Sequence, residues 1–581
     1  MNPNPAFDAW MDDFFTSYHR HRPVNATFIG EHDHDARLPD FSEHGIGDAV
    51  ADAEDLLRRL NALPAGGLRG ARDVDVRLSA GFLRTQLWEM RAGHFQFGNP
   101  SLYTGEAVFS ILGLFLTDYA PLELRLDAAR ARLAGIPDFL RPLRAQVRSA
   151  PVSWTRRAMR ECAGALALLG TSGGPDGARP GGPGPDGLTL LAREKGFDVS
   201  RLRREARGAA RAFEDLHHWL ETELLSRDRA EVGCGPEALD LHLREVHFLD
   251  RDADGLLAYA RDVIAEEWGY LEAHAADFGA ATPADALAGL AEIHPTAGGY
   301  LHRYQEVWDD VRRLAREHDL VRWPDFPLRY VPRPPWTREA APSLYFLFYR
   351  SPAARMRPPV HDYLVTPIEP SLPEQEQEAL LRANNDSVIK LNHVVHHGGI
   401  GHHVQNWHAF RAQSRVGRMA AVDCASRIAM GCGGTMAEGW ACYATDLVAE
   451  FGGLTPLEAY AERHSRVRMA CRAVVDLELH GGRMSLDQAA AFYRDHAGMP
   501  DGAAKAEAAK NSMFPGGAVM YLFGTDAIHG LRARMAAIQG PAFHLGRFHD
   551  AFLSHGSVPV ALTARSMIQD AEAPGGSHDA E

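Results

Sequence analysis

The chain has 581 residues, 24% of them charged and 45% hydrophobic, the composition of a soluble globular protein. Lys+Arg is 61 and Asp+Glu is 76, a formal net charge of −15, which leaves no electrostatic footprint for nucleic acid or an anionic membrane. Lys195, Lys390, Lys505 and Lys510 are the only lysines, so a Schiff-base cofactor is not favoured.

The N-terminus, Met1-Asn-Pro-Asn-Pro-Ala-Phe-Asp, lacks the basic start and apolar stretch of a signal peptide. The longest apolar run, Ala107 to Leu116, is broken by Ser110 and Gly113 and is too short to span a bilayer. Cys162, Cys234, Cys424, Cys432, Cys442 and Cys471 are scattered without a CxxC pair, which fits a reducing compartment. The expectation is a cytoplasmic protein. Helical periodicity runs through Asp48–Leu63, Leu122–Leu143, Ala253–Phe278, Pro373–His397 and Leu454–Leu479. Ser200, Thr282-Pro283 and Thr455-Pro456 read as helix starts. Ser172 to Gly187, nearly all Gly, Pro and Asp, reads as a flexible loop between residues 1–171 and 188–571, and residues 572–581 read as a disordered tail. Tyr345–Tyr349 and Tyr363–Thr366 are the best strand candidates. The expected fold class is mainly α, one large helical body with a short strand pair near the site.

Six imidazoles fall within sixteen residues, at His393, His396, His397, His402, His403 and His408. Imidazole is the commonest protein ligand for zinc and the commonest general base. Two such histidines with a remote glutamate, here Glu438 of Glu438-Gly-Trp-Ala-Cys-Tyr443, form the ligand set of a catalytic zinc site. On a straight helix His396 and His402 would diverge by roughly 240°, so they share an ion only if the backbone breaks between them. Gly398, Gly399 and Gly401 supply that break, since glycine accepts positive φ. His396 and His403 would face the same way on an unbroken helix but about 10 Å apart.

These motifs resemble the DUF885 family, a bacterial group related in appearance to zinc-dependent peptidases of the gluzincin type. The family's His-Glu-x-x-Pro-Gly-His-His-x-Gln is here His396-His397-Gly398-Gly399-Ile400-Gly401-His402-His403-Val404-Gln405. Its Glu-Gly-Trp-Ala-Leu-Tyr-Ala-Glu is Glu438 to Thr445, and its Arg-x-x-x-Asp-x-x-x-His helix is Arg472, Asp476 and His480. Its Pro-Gly-x-Ala-x-x-Tyr-x-x-Gly is Pro515 to Gly524, including Tyr521, and its closing segment matches Phe548 to Pro559. The resemblance implies a gluzincin-peptidase-like helical body around a central channel. It implies a divalent metal, zinc first, on His396, His402 and Glu438. Tyr521 and His480 become candidate oxyanion or substrate donors, and Arg472 and Asp476 candidates for holding substrate or orienting a neighbour. His403 is a candidate supporting residue near the substrate. The departures are His397 where the family has its glutamate base, Ile400 for its proline and Thr445 for its second glutamate.

His397 therefore has three readings: a substitute general base, an extra ligand, or a drifted position. For each candidate the plain alternative is a hydrogen-bonded core residue. The leading expectation is a divergent metal-dependent hydrolase-like enzyme acting on a small molecule or short peptide-like compound, with His397 as base. The alternatives are a non-hydrolytic lyase, cyclase or isomerase in natural-product biosynthesis, and a non-catalytic binding protein that keeps the channel.

Overall fold

A computed structural model describes residues 4–64, 68–171, 184–324, 326–340, 354–355, 359–419 and 433–572. The strand candidate at 345–349, most of the Gly/Pro-rich segment and nearly all of the tail lie outside these residues. The fold is mainly helical, as the periodicity predicts, and no described helix is long and apolar enough to cross a membrane.

Local chemistry sets the helix ends. Thr455 and Glu458 form a reciprocal capping box at the head of Pro456–His480, and Thr282 accepts the Asp285 N–H ahead of Pro283–Ala288. At Ser200–Thr222 the capping carboxylate is Asp198, which accepts the Ser200 N–H at 2.9 Å. The segment expected as one helix over Pro373–His397 is two. Glu374–Ala383 stops at Asn384, Asn385 restarts the chain by accepting the Val388 N–H, and Ile389–Gly398 is wound as a π-helix.

One apolar core joins Leu126, Leu133, Leu168 and Leu169 to Leu188, Leu191, Phe213 and Leu220, on both sides of the Gly/Pro-rich segment. A second packs Trp308, Val394, Val395, Trp440, Tyr443 and Phe552 around the histidine segment. A third joins the helices Ala253–His274, Pro456–His480 and Val519–Gln539. The sheet is a parallel pair, β1 (Leu328–Pro332) and β2 (His361–Val365), with Tyr330 opposite Tyr363. The second strand matches the sequence expectation; its partner lies upstream, between prolines that hide a five-residue strand.

Candidate metal centre

The wide π-turn ends at Gly399, and a helix restarts over His402–Ala409 with Gly401 at its head. π-Turns collect at functional sites because they push side chains out of α register. The glycines do not work through positive φ, as expected from sequence: Gly399 has φ −74 and Gly401 φ −70. They are required by closeness. A Cβ on Gly401 would overlap the His396 carbonyl and lie 2.6 Å from its carbon; one on Gly399 would lie 2.9 Å from Val311 Cγ1. The chain folds back onto His396 in a way only glycine permits, and this turns His402 toward it.

The carboxylate comes from Gly434–Glu450. That helix is tied to the turn by Trp440, whose Nε1 donates to the Ile400 carbonyl at 2.8 Å. Glu438 Oε2 lies 3.3 Å from His396 Nε2 and 3.7 Å from His402 Nε2. Ligand-capable atoms of His396, His397 and His402 all lie within 4.8 Å of one another. Donors on a tetrahedral zinc sit about 3.4 Å apart, from bond lengths of about 2.0–2.2 Å. Glu438 Oε2 is buried and faces no donor among the described residues other than these two imidazoles. A buried carboxylate needs a compensating positive charge, and two imidazoles and a carboxylate suit a divalent cation. The residues fit such an ion.

Electrostatics agree with that reading. Burial works to raise the Glu438 carboxyl, but His402 and His396 overcome it and hold it well below the usual carboxylate range. Burial lowers His396, partly countered by Glu438. Burial, then His396 and His402, push His397 well below 6.5, so its ring is neutral. Its Nδ1 lies 2.7 Å from the Asn392 carbonyl, which can only accept, so Nδ1 carries the proton and Nε2 carries the basic lone pair.

The other sequence candidates divide. Tyr521 feels the Glu438 charge, and burial followed by that charge pushes its phenol well above 10. Arg472 lies with its guanidinium 5.1 Å from the Tyr521 ring centroid, and its Nε donates to Glu507 at 2.7 Å. The expected clamp for a substrate carboxylate is thus engaged by an internal ion pair. His480 is fully buried; Nδ1 accepts the Cys234 N–H at 3.2 Å and Nε2 donates to the Asn511 carbonyl at 3.0 Å. Both nitrogens are engaged by backbone, and Nε2 also lies 3.4 Å from Asp476 Oδ1, the orienting contact expected of that carboxylate, which leaves the ring a structural role. Asp476 accepts the N–H groups of Gly516, Ala518 and Val519, so it clamps the start of Val519–Gln539 rather than substrate. That clamp sets the position of Tyr521, three residues into the helix. His403 is 1% exposed, donates to the Phe326 carbonyl at 2.8 Å and stacks on that ring, so it is a packing residue and not a substrate contact. His393 binds the Tyr363 hydroxyl at 2.6 Å, and His408 the Arg322 carbonyl at 3.2 Å. Sequence reasoning missed the Asn392 carbonyl, which fixes His397, and the Gly439–Gly524 contact. There a Cβ on Gly439 would meet Gly524 Cα at 2.7 Å, so the helices bearing Glu438 and Tyr521 approach closely. No motif spacing carries either signal.

The family model described as "Bacterial protein of unknown function (DUF885)" matches residues 23–567. No curated protein matches the chain significantly. Solved structures share the fold, two of them as follows. One is described as a "putative lipoprotein of unknown function" from Shewanella oneidensis, with a TM-score of 0.74 and 19% identity, covering 97% of this chain and 99% of that one. The other is described as a "putative lipoprotein" from Colwellia psychrerythraea, with a TM-score of 0.74 and 17% identity, covering 98% and 99%. Lipoproteins are exported and held at a membrane, so the cytoplasmic expectation is overturned by these neighbours and is withdrawn.

Proposed function

The chain belongs to the DUF885 family, and from that premise we propose a divergent, metal-dependent, hydrolase-like enzyme of gluzincin type that acts on a small molecule or short peptide-like compound. One observation carries this reading: His396, His402 and Glu438 meet around a buried carboxylate oxygen that faces no other donor among the described residues. These three side chains would hold the cation, with zinc favoured by donor type. Such an ion, when bound, supplies Lewis-acid polarisation of a carbonyl or water oxygen.

The chain's own residues supply the proton chemistry. His397 Nε2 accepts the proton of the attacking water and returns it to the leaving group. Burial has moved this imidazole down toward the basicity of the carboxylate it replaces. The Asn392 carbonyl holds its Nδ1–H, which fixes ring and tautomer. Tyr521 keeps its proton and donates it in a hydrogen bond to the developing oxyanion. Arg472, braced by Glu507, supports the face of that phenol.

A second reading is favoured by the closeness of His397 to both imidazole ligands. As a third imidazole on the cation it would leave no base, and the site would suit a lyase, cyclase or isomerase step. One experiment separates the two: metal stoichiometry, with turnover of a short-peptide library by wild type, His397→Ala and His397→Glu. The hydrolase reading expects one ion per chain, activity lost in His397→Ala and present in His397→Glu. Protein without metal, with His397→Ala turning over like wild type, would refute it.

A further inference from the structure

A cavity of about 950 Å³ opens between the helices Ala253–His274, Gly434–Glu450, Pro456–His480 and Val519–Gln539. That is at the upper end of small-molecule pockets, roughly 300–1,000 Å³. One of its four helices, Gly434–Glu450, also carries Glu438 of the candidate metal centre, and two others carry the neighbouring Arg472 and Tyr521. On Gly434–Glu450, Glu438, Cys442, Thr445 and Ala449 follow a spacing that keeps them on one face, and Ala449 lines the cavity. Thr525 lines it one turn beyond Tyr521, about 6 Å along the helix, and Met469 lies less than a turn from Arg472. The cavity thus begins about one helical turn from Tyr521 and Arg472, and about 12 Å, or two turns, from Glu438 along its own helix, at Asp446.

Its charge is mainly negative. Glu267, Asp277, Asp446, Glu450, Glu462 and Asp526 line it, against Arg463 and Arg466. Both arginines are already committed. Arg466 binds Asp526 at 2.7 Å and Glu267 at 3.2 Å; Arg463 binds Glu267 at 3.0 Å and lies 4.6 Å from the Tyr270 ring centroid. Arg532, from outside, takes Glu450 at 2.7 Å. Two carboxylates are left with weaker partners: Asp446 with His529 at 2.8 Å, and Glu462 with the Thr445 hydroxyl at 2.9 Å. Burial, helped by the neighbouring Asp446 charge and opposed by the Thr445 hydrogen bond and by Arg468, pushes Glu462 up to about 7. Phe278 and Tyr460, their ring centroids 4.9 Å apart, add an aromatic wall. Carboxylates beside aromatic faces are the chemistry that receives an organic cation.

We infer that this cavity binds the ammonium or guanidinium group of an elongated, peptide-like molecule whose other end reaches the metal centre, with Asp446 and Glu462 as the receiving carboxylates. The word substrate rests on the hydrolase reading; binding of the cation does not. An anion is disfavoured because both arginines are already paired.

The test is calorimetry with a lysine-containing tetrapeptide amide and its fully acetylated form, alongside zinc affinity on the same samples. Saturable binding of one peptide per chain is expected, weakened at least tenfold by acetylation. Glu462→Gln and Asp446→Asn are each expected to weaken it about fivefold while zinc affinity stays unchanged, which also shows that the variants fold. Asp138→Asn, a remote exposed acid, is expected to have no effect. Equal binding of the acetylated peptide, no binding, or equal losses in Asp138→Asn would overturn the inference even if zinc binds. Peptide binding without zinc binding would support it while sinking the hydrolase reading.

Discussion

Gly401→Ala tests the geometry on which the metal site depends. The new Cβ would overlap the His396 carbonyl oxygen and lie 2.6 Å from both the His396 carbonyl carbon and the Val395 oxygen. Real Cβ atoms essentially never approach below 3.0 Å, and the atoms in the way are backbone, so the turn itself must open. The shift lands between the two imidazoles, whose ring centroids are 4.9 Å apart. A ligand site tolerates errors of about 0.5 Å. The effect is therefore at least that of losing an outer-shell partner, roughly 10–100-fold in affinity, or about 1.4–2.7 kcal/mol. The assay is competition for zinc against a chromophoric chelator, with urea denaturation run in parallel. Wild-type zinc affinity in a folded Gly401→Ala protein would refute the argument that the glycine turn brings the ligands together. A loss of fold without metal would leave the question to Gly399→Ala, where the nearest obstacle is a side-chain atom of Val311 at 2.9 Å.

Two further outcomes follow from the same structure. Gly47 is an exposed position within Glu43–Asn61 with nothing within 4 Å of a built Cβ, so Gly47→Ala is expected to raise stability by about 0.5–1 kcal/mol in urea denaturation; a decrease would contradict the helix there. Stability is also expected to fall as pH drops from 6.5 toward 4. Burial holds His19, His21, His247, His393, His403, His464, His480 and His549 at about 4, so the unfolded chain takes up protons in that window and the folded chain does not. Asp476 and Glu462, raised by burial to about 7, and Asp75 and Glu161, also raised by burial, act in the opposite sense, their contribution being lost as pH rises. Eight histidines outweigh four carboxyls, so the urea midpoint should be lower at pH 5 than at pH 7; an equal or higher midpoint would show that the imidazoles are not buried neutral.

The approach of His396 to His402 was legible because it is local. Two histidines six residues apart with glycines between them demand a broken helix, and the structure contains one, although closeness rather than positive φ is what requires glycine. The long helices were legible for the same reason, their periodicity and caps being properties of neighbours in sequence. The roles of His480, Asp476 and His403 were not. Their partners are backbone groups at Cys234, Asn511, Gly516 and Phe326, and nothing in the types of those residues marks them as partners. The break at Asn384-Asn385 was missed because an asparagine cap inside a polar stretch leaves the apolar period intact.

The proposed reading asks of His397 a position that the structural imidazoles of this fold do not have. His480 spends both nitrogens on backbone, and His403 anchors Nε2 to a carbonyl while its ring is sealed by aromatic contacts. His397 uses the same kind of anchor, Nδ1–H on the Asn392 carbonyl, but the anchor leaves Nε2 as the basic atom of a ring 4.8 Å from His396 and 5.6 Å from His402, centroid to centroid. Depression of its proton affinity by burial is shared with the structural histidines, so that property alone does not mark function. The proposal rests instead on its position beside Glu438 and two imidazoles. A glutamate at this position would bring a second negative charge next to Glu438; the neutral imidazole keeps a proton acceptor there without that repulsion, at lower basicity than a free histidine. This is why turnover in His397→Glu, set against His397→Ala, reports on the base and not merely on the presence of a side chain.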